Sequence, residues 1–245
     1  MAMRTSNPAL NAKTFDRVGY ATGGDTMTIE GTVNRAGLLL AILAATATWT
    51  WMQTFRGVPV GGYLLGGLLG GFVVAIVTIF KPTWAPVTSP IYAALEGLAL
   101  GGISAYFEAA YPGIVIPAVA LTFGTLAAML IVYRSRLIPV TENFKMGVAA
   151  ATGGIAIFYL VALGLSFFNI RIPFLHEGTP LGIVFSLFVI VIAALNLVLD
   201  FDFIEQGAER GAPKFMEWYG AFGLMVTLIW LYLEILRLLS KLRSR

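Results

Sequence analysis

Seven apolar runs, each about the length of a bilayer crossing, dominate the sequence: residues 36–55, 61–80, 90–107, 113–133, 146–168, 181–199 and 219–239. A transmembrane helix needs about 20 mostly apolar residues to cover a hydrocarbon core of about 30 Å. The runs are continuous. Barrel strands instead alternate polar and apolar residues over stretches of about ten, so helices are expected. Short connections carry Pro82, Pro86, Pro112, Pro139, Pro173, Pro180 and Pro213, usually beside a charge or two, as expected where the chain returns to water. Only 12% of the 245 residues are charged and 58% are hydrophobic, against roughly 25% charged in soluble domains. That composition excludes a water-soluble globule and a disordered chain. Without cysteine and with one histidine, His176, the chain has no disulfide, no thiolate nucleophile and no His–Cys metal site. An enzyme, including an intramembrane hydrolase, is therefore not expected. A net charge of +3 gives no reason to invoke nucleic acid. The expected fold class is an all-α membrane protein, a seven-transmembrane-helix bundle in contact with the lipid bilayer.

Residues 1–35 are polar and read as a flexible N-terminal tail, residues 36–240 as the membrane domain and residues 241–245 as a basic end. The tail is too long and too polar for a signal peptide. Lys and Arg in short loops favour the cytoplasm. With the N-terminus inside, ten basic residues face the cytoplasm (Arg4, Lys13, Arg17, Arg35, Lys81, Arg134, Arg136, Lys145, Arg210 and Lys214) and two, Arg56 and Arg171, face outward. The C-terminal end opposes this pattern. Arg237, Lys241, Arg243 and Arg245 fall outside if the last segment spans, and inside if it is re-entrant. Trp49, Trp51, Trp84, Trp218 and Trp230 mostly lie near run ends, as interfacial anchors do.

The second run reads GGYLLGGLLGG, so Gly62, Gly66 and Gly70 recur every four residues, with Gly67 and Gly71 beside them. Four-residue spacing stacks small residues on one helix face and lets another backbone approach closely. Gly97 and Gly101 repeat the pattern in the third run, and Ala150 and Gly154 in the fifth.

Carboxylates inside a span are costly and mark functional sites by default. Glu96 lies six residues into the third run, and Asp200 ends the apolar stretch ALNLVLD, with Asp202 and Glu205 close behind. Asn196 is four residues before Asp200 and shares its helix face. With the orientation above, Glu96 and Asp200 both fall in the cytoplasmic half. If the third and sixth helices are neighbours, Glu96, Asn196 and Asp200 form one set of oxygen ligands of the kind calcium prefers, and such a cluster responds to pH through its protons. Asp200, Asp202, Glu205 and Glu209 also read as the helix's emergence into water, with Arg210 and Lys214 as partners. Glu234 and Arg237 form a helical pair near the chain's end.

Two stretches, SPIYAALEGLALGGISAY (89–106) and LNLVLDFDFIEQGAE (195–209), together with the closing TLIWLYLEILRLL, resemble the Bax inhibitor-1 superfamily, in particular its bacterial YccA-like branch. The resemblance implies a seven-helix bundle with the last helix central. It also implies a pH-sensitive calcium leak of the bacterial inner membrane, controlled by two aspartates on the last two helices. Asp200 matches the first of these. At the second position this chain carries Thr227, and Glu96 is the residue expected to supply the missing carboxylate. Asp200, Glu96, Asn196 and Asp202 are thus the expected ion- and proton-sensing residues, Asp200 and Glu96 the expected calcium ligands, and no other cofactor is called for. The alternative implied by the resemblance is an interaction protein that modulates a membrane-bound AAA protease.

Overall fold

The computed structural model describes residues 26–168 and 178–244. Among these, seven α-helices follow one another: α1 (Ile29–Phe55), α2 (Gly61–Phe80), α3 (Ala85–Ala110), α4 (Val115–Arg134), α5 (Glu142–Phe167), α6 (Pro180–Glu209) and α7 (Met216–Arg243). All except α3 are long and apolar enough to cross a membrane. Helix α3 is long enough, but Thr88, Ser89, Glu96, Ser104 and Glu108 dilute its apolar content. Six candidate spans therefore replace the seven expected. No membrane is needed to see where the apolar surface goes: Leu65, Leu69, Phe72, Leu160 and Leu163 are among the many large side chains left exposed on the outside, the face a lipid solvent would cover.

Several helices begin earlier or end later than their apolar runs, because capping chemistry, not hydrophobicity, sets their ends. Thr28 accepts a hydrogen bond from Gly31 N and starts α1, so residues 29–35 belong to a helix and not to the tail. Residues 1–25 lie outside the described residues, as do His176 and Arg171 in the α5–α6 connection. Thr141 caps α5 through Phe144 N, and Thr179 caps α6 through Gly182 N. Helix α6 continues ten residues past Leu199 to Glu209, and α7 runs unbroken through Lys241.

Helix directions follow from side-chain contacts. Gly97 meets Leu43 and Thr46, and Gly101 meets Ala47, so α1 and α3 are parallel. Gly67 meets Ala99 and Gly102 meets Leu64, so α2 and α3 are antiparallel. Helix α7 packs against α1, α3, α4 and α6, and α5 reaches it through Tyr159. Helices α6 and α7 have the largest buried shares among the candidate spans, with about half of their apolar windows enclosed. Met27 N donates to Ala212 O at 2.7 Å, tying the start of α1 to the α6–α7 turn.

The glycine pattern is partly corrected. Gly97 and Gly101 face α1 so closely that a Cβ there would stand 2.4 Å from Leu43 O and 2.2 Å from Ala47 O. On α2 the packed pair is Gly67 and Gly71, with Gly70 touching only the tip of Leu95, while nothing lies within 4 Å of a Cβ on Gly62 or Gly66. Gly154 is equally open. Trp230 differs from an interfacial anchor: it is half-buried and packs against two core clusters.

Candidate functional site

Helices α6 and α7 lie antiparallel in a register fixed at both ends. Phe203 stacks near Tyr219, Ile204 meets Gly220, and Lys241 Nζ donates to Gly182 O at 3.0 Å. This register sets Asp200 level with Gly223 and Asn196 level with Thr227. Asp200 is fully buried, and Asn196 and Thr227 are nearly so. Asn196 Nδ2 donates to Thr152 Oγ1 of α5 and to Ile192 O, both at 2.8 Å. A polar layer contributed by α5, α6 and α7 thus crosses the bundle beside Asp200.

One to two turns toward the α4–α5 connection, Asp202 meets a residue of the opposite charge. Lys145 Nζ stands 2.8 Å from Asp202 Oδ2 and 3.6 Å from Glu142 Oε1, and Gln206 Nε2 donates to the same Asp202 oxygen. The Tyr133 hydroxyl donates to Glu205 Oε2, with Arg136 3.9 Å from the other oxygen. Arg136 takes the left-handed conformation, φ 53°, which turns the chain back under α6. Beneath these residues opens a cavity of about 550 Å³ lined by Tyr133, Arg134, Arg136, Thr141, Asp202 and Glu205. Asp200 is enclosed and does not mark the helix's emergence into water, and Asp202 and Glu205 pair with Lys145 and Arg136, not with Arg210 and Lys214. Lys214 instead serves Glu217, 2.9 Å away, which is buried and also accepts from Thr28 N and Oγ1.

At the other end of the same three helices, buried Glu234 accepts at Oε1 from Arg237 (2.7 Å) and from the Tyr159 hydroxyl (2.9 Å), and Arg237 also donates to Tyr159. Its Oε2 accepts no hydrogen bond among the described residues. Lys241, also buried, donates to Ser186 Oγ at 2.9 Å as well as to Gly182 O.

Glu96 joins neither group. Its carboxylate faces α2, with Oε1 2.7 Å from where a Cβ on Gly71 would stand. Helices α3 and α6 are not a closely packed pair, because α7 lies against both: Tyr92 and Ser104 of α3 contact Phe222 and Tyr232 of α7. The expected set of Glu96, Asn196 and Asp200 is therefore not assembled. Among the described residues no group of three or more His, Asp or Glu side chains is placed to hold a metal ion.

With this geometry in place, one comparison identifies the chain's relatives: the model of a family described as Bax inhibitor 1 like matches residues 7–244. The chain belongs to this family. No curated protein and no solved structure matches it. In this Bax inhibitor 1-like chain the aspartate expected from the motif, Asp200, is the fully buried one, and Asn196 and Asp202 lie within a turn of it. Lys145 and Lys241 were missed as interior residues because each stands close to a helix end. A signal for both was present. Lys145, Thr152 and Tyr159 on α5, and Thr227, Glu234 and Lys241 on α7, recur every seven residues, two helical turns, so each set lines one face.

Proposed function

We propose that the chain is a pH-sensitive leak channel for cations, calcium foremost, in a bacterial inner membrane. In this reading the chain belongs to the YccA-like branch, the N-terminus is cytoplasmic, and α7 is the centre about which the other six helices are arranged. It requires no enzymatic step and no cofactor beyond the ion. The observation that carries it is the complete burial of Asp200 in the helix that holds the most apolar span-length stretch among the candidate spans. A carboxylate in that position is expensive and belongs to an ion or proton pathway by default. Asp202 and Glu205 at the mouth, over a polar cavity, supply a hard-oxygen approach of the kind divalent cations use. A carboxylate that takes up a proton loses its pull on a cation, which couples permeation to pH.

The test is calcium uptake into liposomes carrying the purified protein, measured across pH. Wild type should show uptake that varies with pH. Asp200→Asn should abolish the variation, and Glu96→Gln, whose side chain faces α2, should retain it. Loss of the pH response in Glu96→Gln would restore the view that Glu96 replaces the carboxylate missing at Thr227. No uptake by folded protein at any pH turns the reading to an interaction protein for a membrane-bound AAA protease.

A further inference from the structure

The polar groups of α5, α6 and α7 form two layers with an apolar interval between them. The inner layer holds Thr152, Asn196 and Thr227, beside Asp200. The outer layer holds Tyr159, Ser186 and Glu234, with Arg237. On α5, residues 153–158 between the layers are all glycine or apolar, and on α6 residues 187–195 are apolar without exception. On α7 the one polar side chain in the interval, Tyr232, turns away and shares a 2.6 Å hydrogen bond with Ser104 of α3. The seven-residue step from Thr152 to Tyr159, and from Thr227 to Glu234, corresponds to about 10 Å along a helix. That interval is filled by Ile155 and Ile192, buried in one cluster, with Trp230 packed against it, while Val189 of the same cluster stands level with Glu234.

Resting on the cation-leak reading above, we propose that Ile155, Ile192 and Trp230 form the barrier of the path, a dry plug between an inner site at Asp200 and an outer carboxylate site at Glu234. Three features support it. On α5 and α6 the interval between the layers carries no polar side chain. A carboxylate oxygen, Glu234 Oε2, is buried on its outer side with no hydrogen-bond donor of its own. Apolar constrictions of this kind close a pore by excluding water, and separation of two such faces is enough to wet them. Glu234 then offers a permeating cation its free oxygen while Arg237 and Tyr159 hold the other.

The absence of cysteine makes single-cysteine labelling unambiguous. In protein reconstituted in sealed liposomes, Thr152→Cys should react with a membrane-impermeant thiol reagent from one side and Ser186→Cys from the other. Ile192→Cys should resist the reagent from both. Ile192→Cys reacting as fast as Ser186→Cys overturns the plug, and so does failure of Thr152→Cys and Ser186→Cys to react at all, since no aqueous path then reaches it. The second measurement is calcium uptake by Ile155→Thr/Ile192→Thr, a pair that shortens two plug side chains and adds two hydroxyls. It should exceed wild type several-fold at the pH where wild type conducts least, and uptake equal to a conducting wild type overturns the proposal. If wild type itself takes up no calcium, the leak reading fails, while the labelling pattern, obtained from single, small substitutions, still decides whether a dry layer separates two wetted ones.

Discussion

Lys145 is the residue whose role differs most between sequence and structure. Three positions into α5, between a capping threonine and a run of apolar residues, it has the look of a solvated helix start. Its side chain is in fact almost completely enclosed and ends on Asp202, itself mostly covered. The two charges hold α5 against α6 at the mouth of the seam. Removing one member of a buried pair leaves the other's charge without compensation and costs about 3–5 kcal/mol, whereas replacing both by apolar side chains is often close to neutral. The more deeply buried partner sets the asymmetry. Asp202→Leu takes from an enclosed ammonium its partner at 2.8 Å and leaves Glu142 at 3.6 Å, while Lys145→Met leaves a carboxylate beside the polar cavity. Unfolding midpoints in one detergent should therefore fall most for Asp202→Leu, less for Lys145→Met, and recover in the double variant. Equal losses that add in the double variant would mean that the pair is not coupled. Asp200, by contrast, was legible in part, because it closes nineteen largely apolar residues, although the acids behind it left a surface reading open. Its neighbours in space were not, since they come from α5 and α7 and the chain does not announce which helices touch.

The helix is the scale at which small residues matter, and here the sequence is ambiguous by construction. Helix α2 carries two adjacent four-residue glycine series, Gly62–Gly66–Gly70 and Gly67–Gly71. Either face suits close packing, and only the line along which α3 passes selects the second. For α3 itself there is one series, Gly97 and Gly101, and it was read correctly. A methyl group at either position would run into backbone oxygen of α1 at 2.4 or 2.2 Å, and backbone cannot turn aside as a side chain can. Gly97→Ala and Gly101→Ala should each destabilise the protein by about 1–3 kcal/mol, the usual range for overpacking. Gly62→Ala and Gly66→Ala, which meet nothing among the described residues, should be neutral or stabilising by up to about 1 kcal/mol, because Ala is the better helix former. Thermal unfolding of the four variants side by side checks the contrast. Equal effects would mean that α1 and α3 are not held at this distance. The same packing explains why α3 can be less apolar than its neighbours: α1, α2 and α7 cover much of it, so its small and polar residues are enclosed by protein.

At the scale of the whole molecule, the basic C-terminal end is the feature that orientation rules handle worst. Counting Lys and Arg by loop gave two answers for the last segment, spanning or re-entrant. Helix α7 is continuous over 28 residues, about 42 Å at 1.5 Å per residue. It starts beside Thr28 and ends beside the α3–α4 turn and the first turn of α6, so its two ends lie at opposite ends of the bundle. Three of the basic residues at the far end are engaged by protein, and Arg245 lies outside the described residues. Arg237 meets Glu234 and Tyr159, Lys241 meets Gly182 and Ser186, and Arg243 donates to the carbonyls of Tyr111, Pro112 and Gly113. The loop-charge rule weighs charges free to face solvent and lipid headgroups, and these three are not free in that sense. Reporters fused to the two termini in cells should therefore report opposite sides of the membrane. Lys241→Ala, which withdraws the donor from Ser186 and Gly182, should lower the unfolding midpoint and leave that sidedness unchanged. Both termini on one side would mean that α7 does not cross, and with it the seam from Asp200 to Glu234 would no longer lead from one face of the membrane to the other.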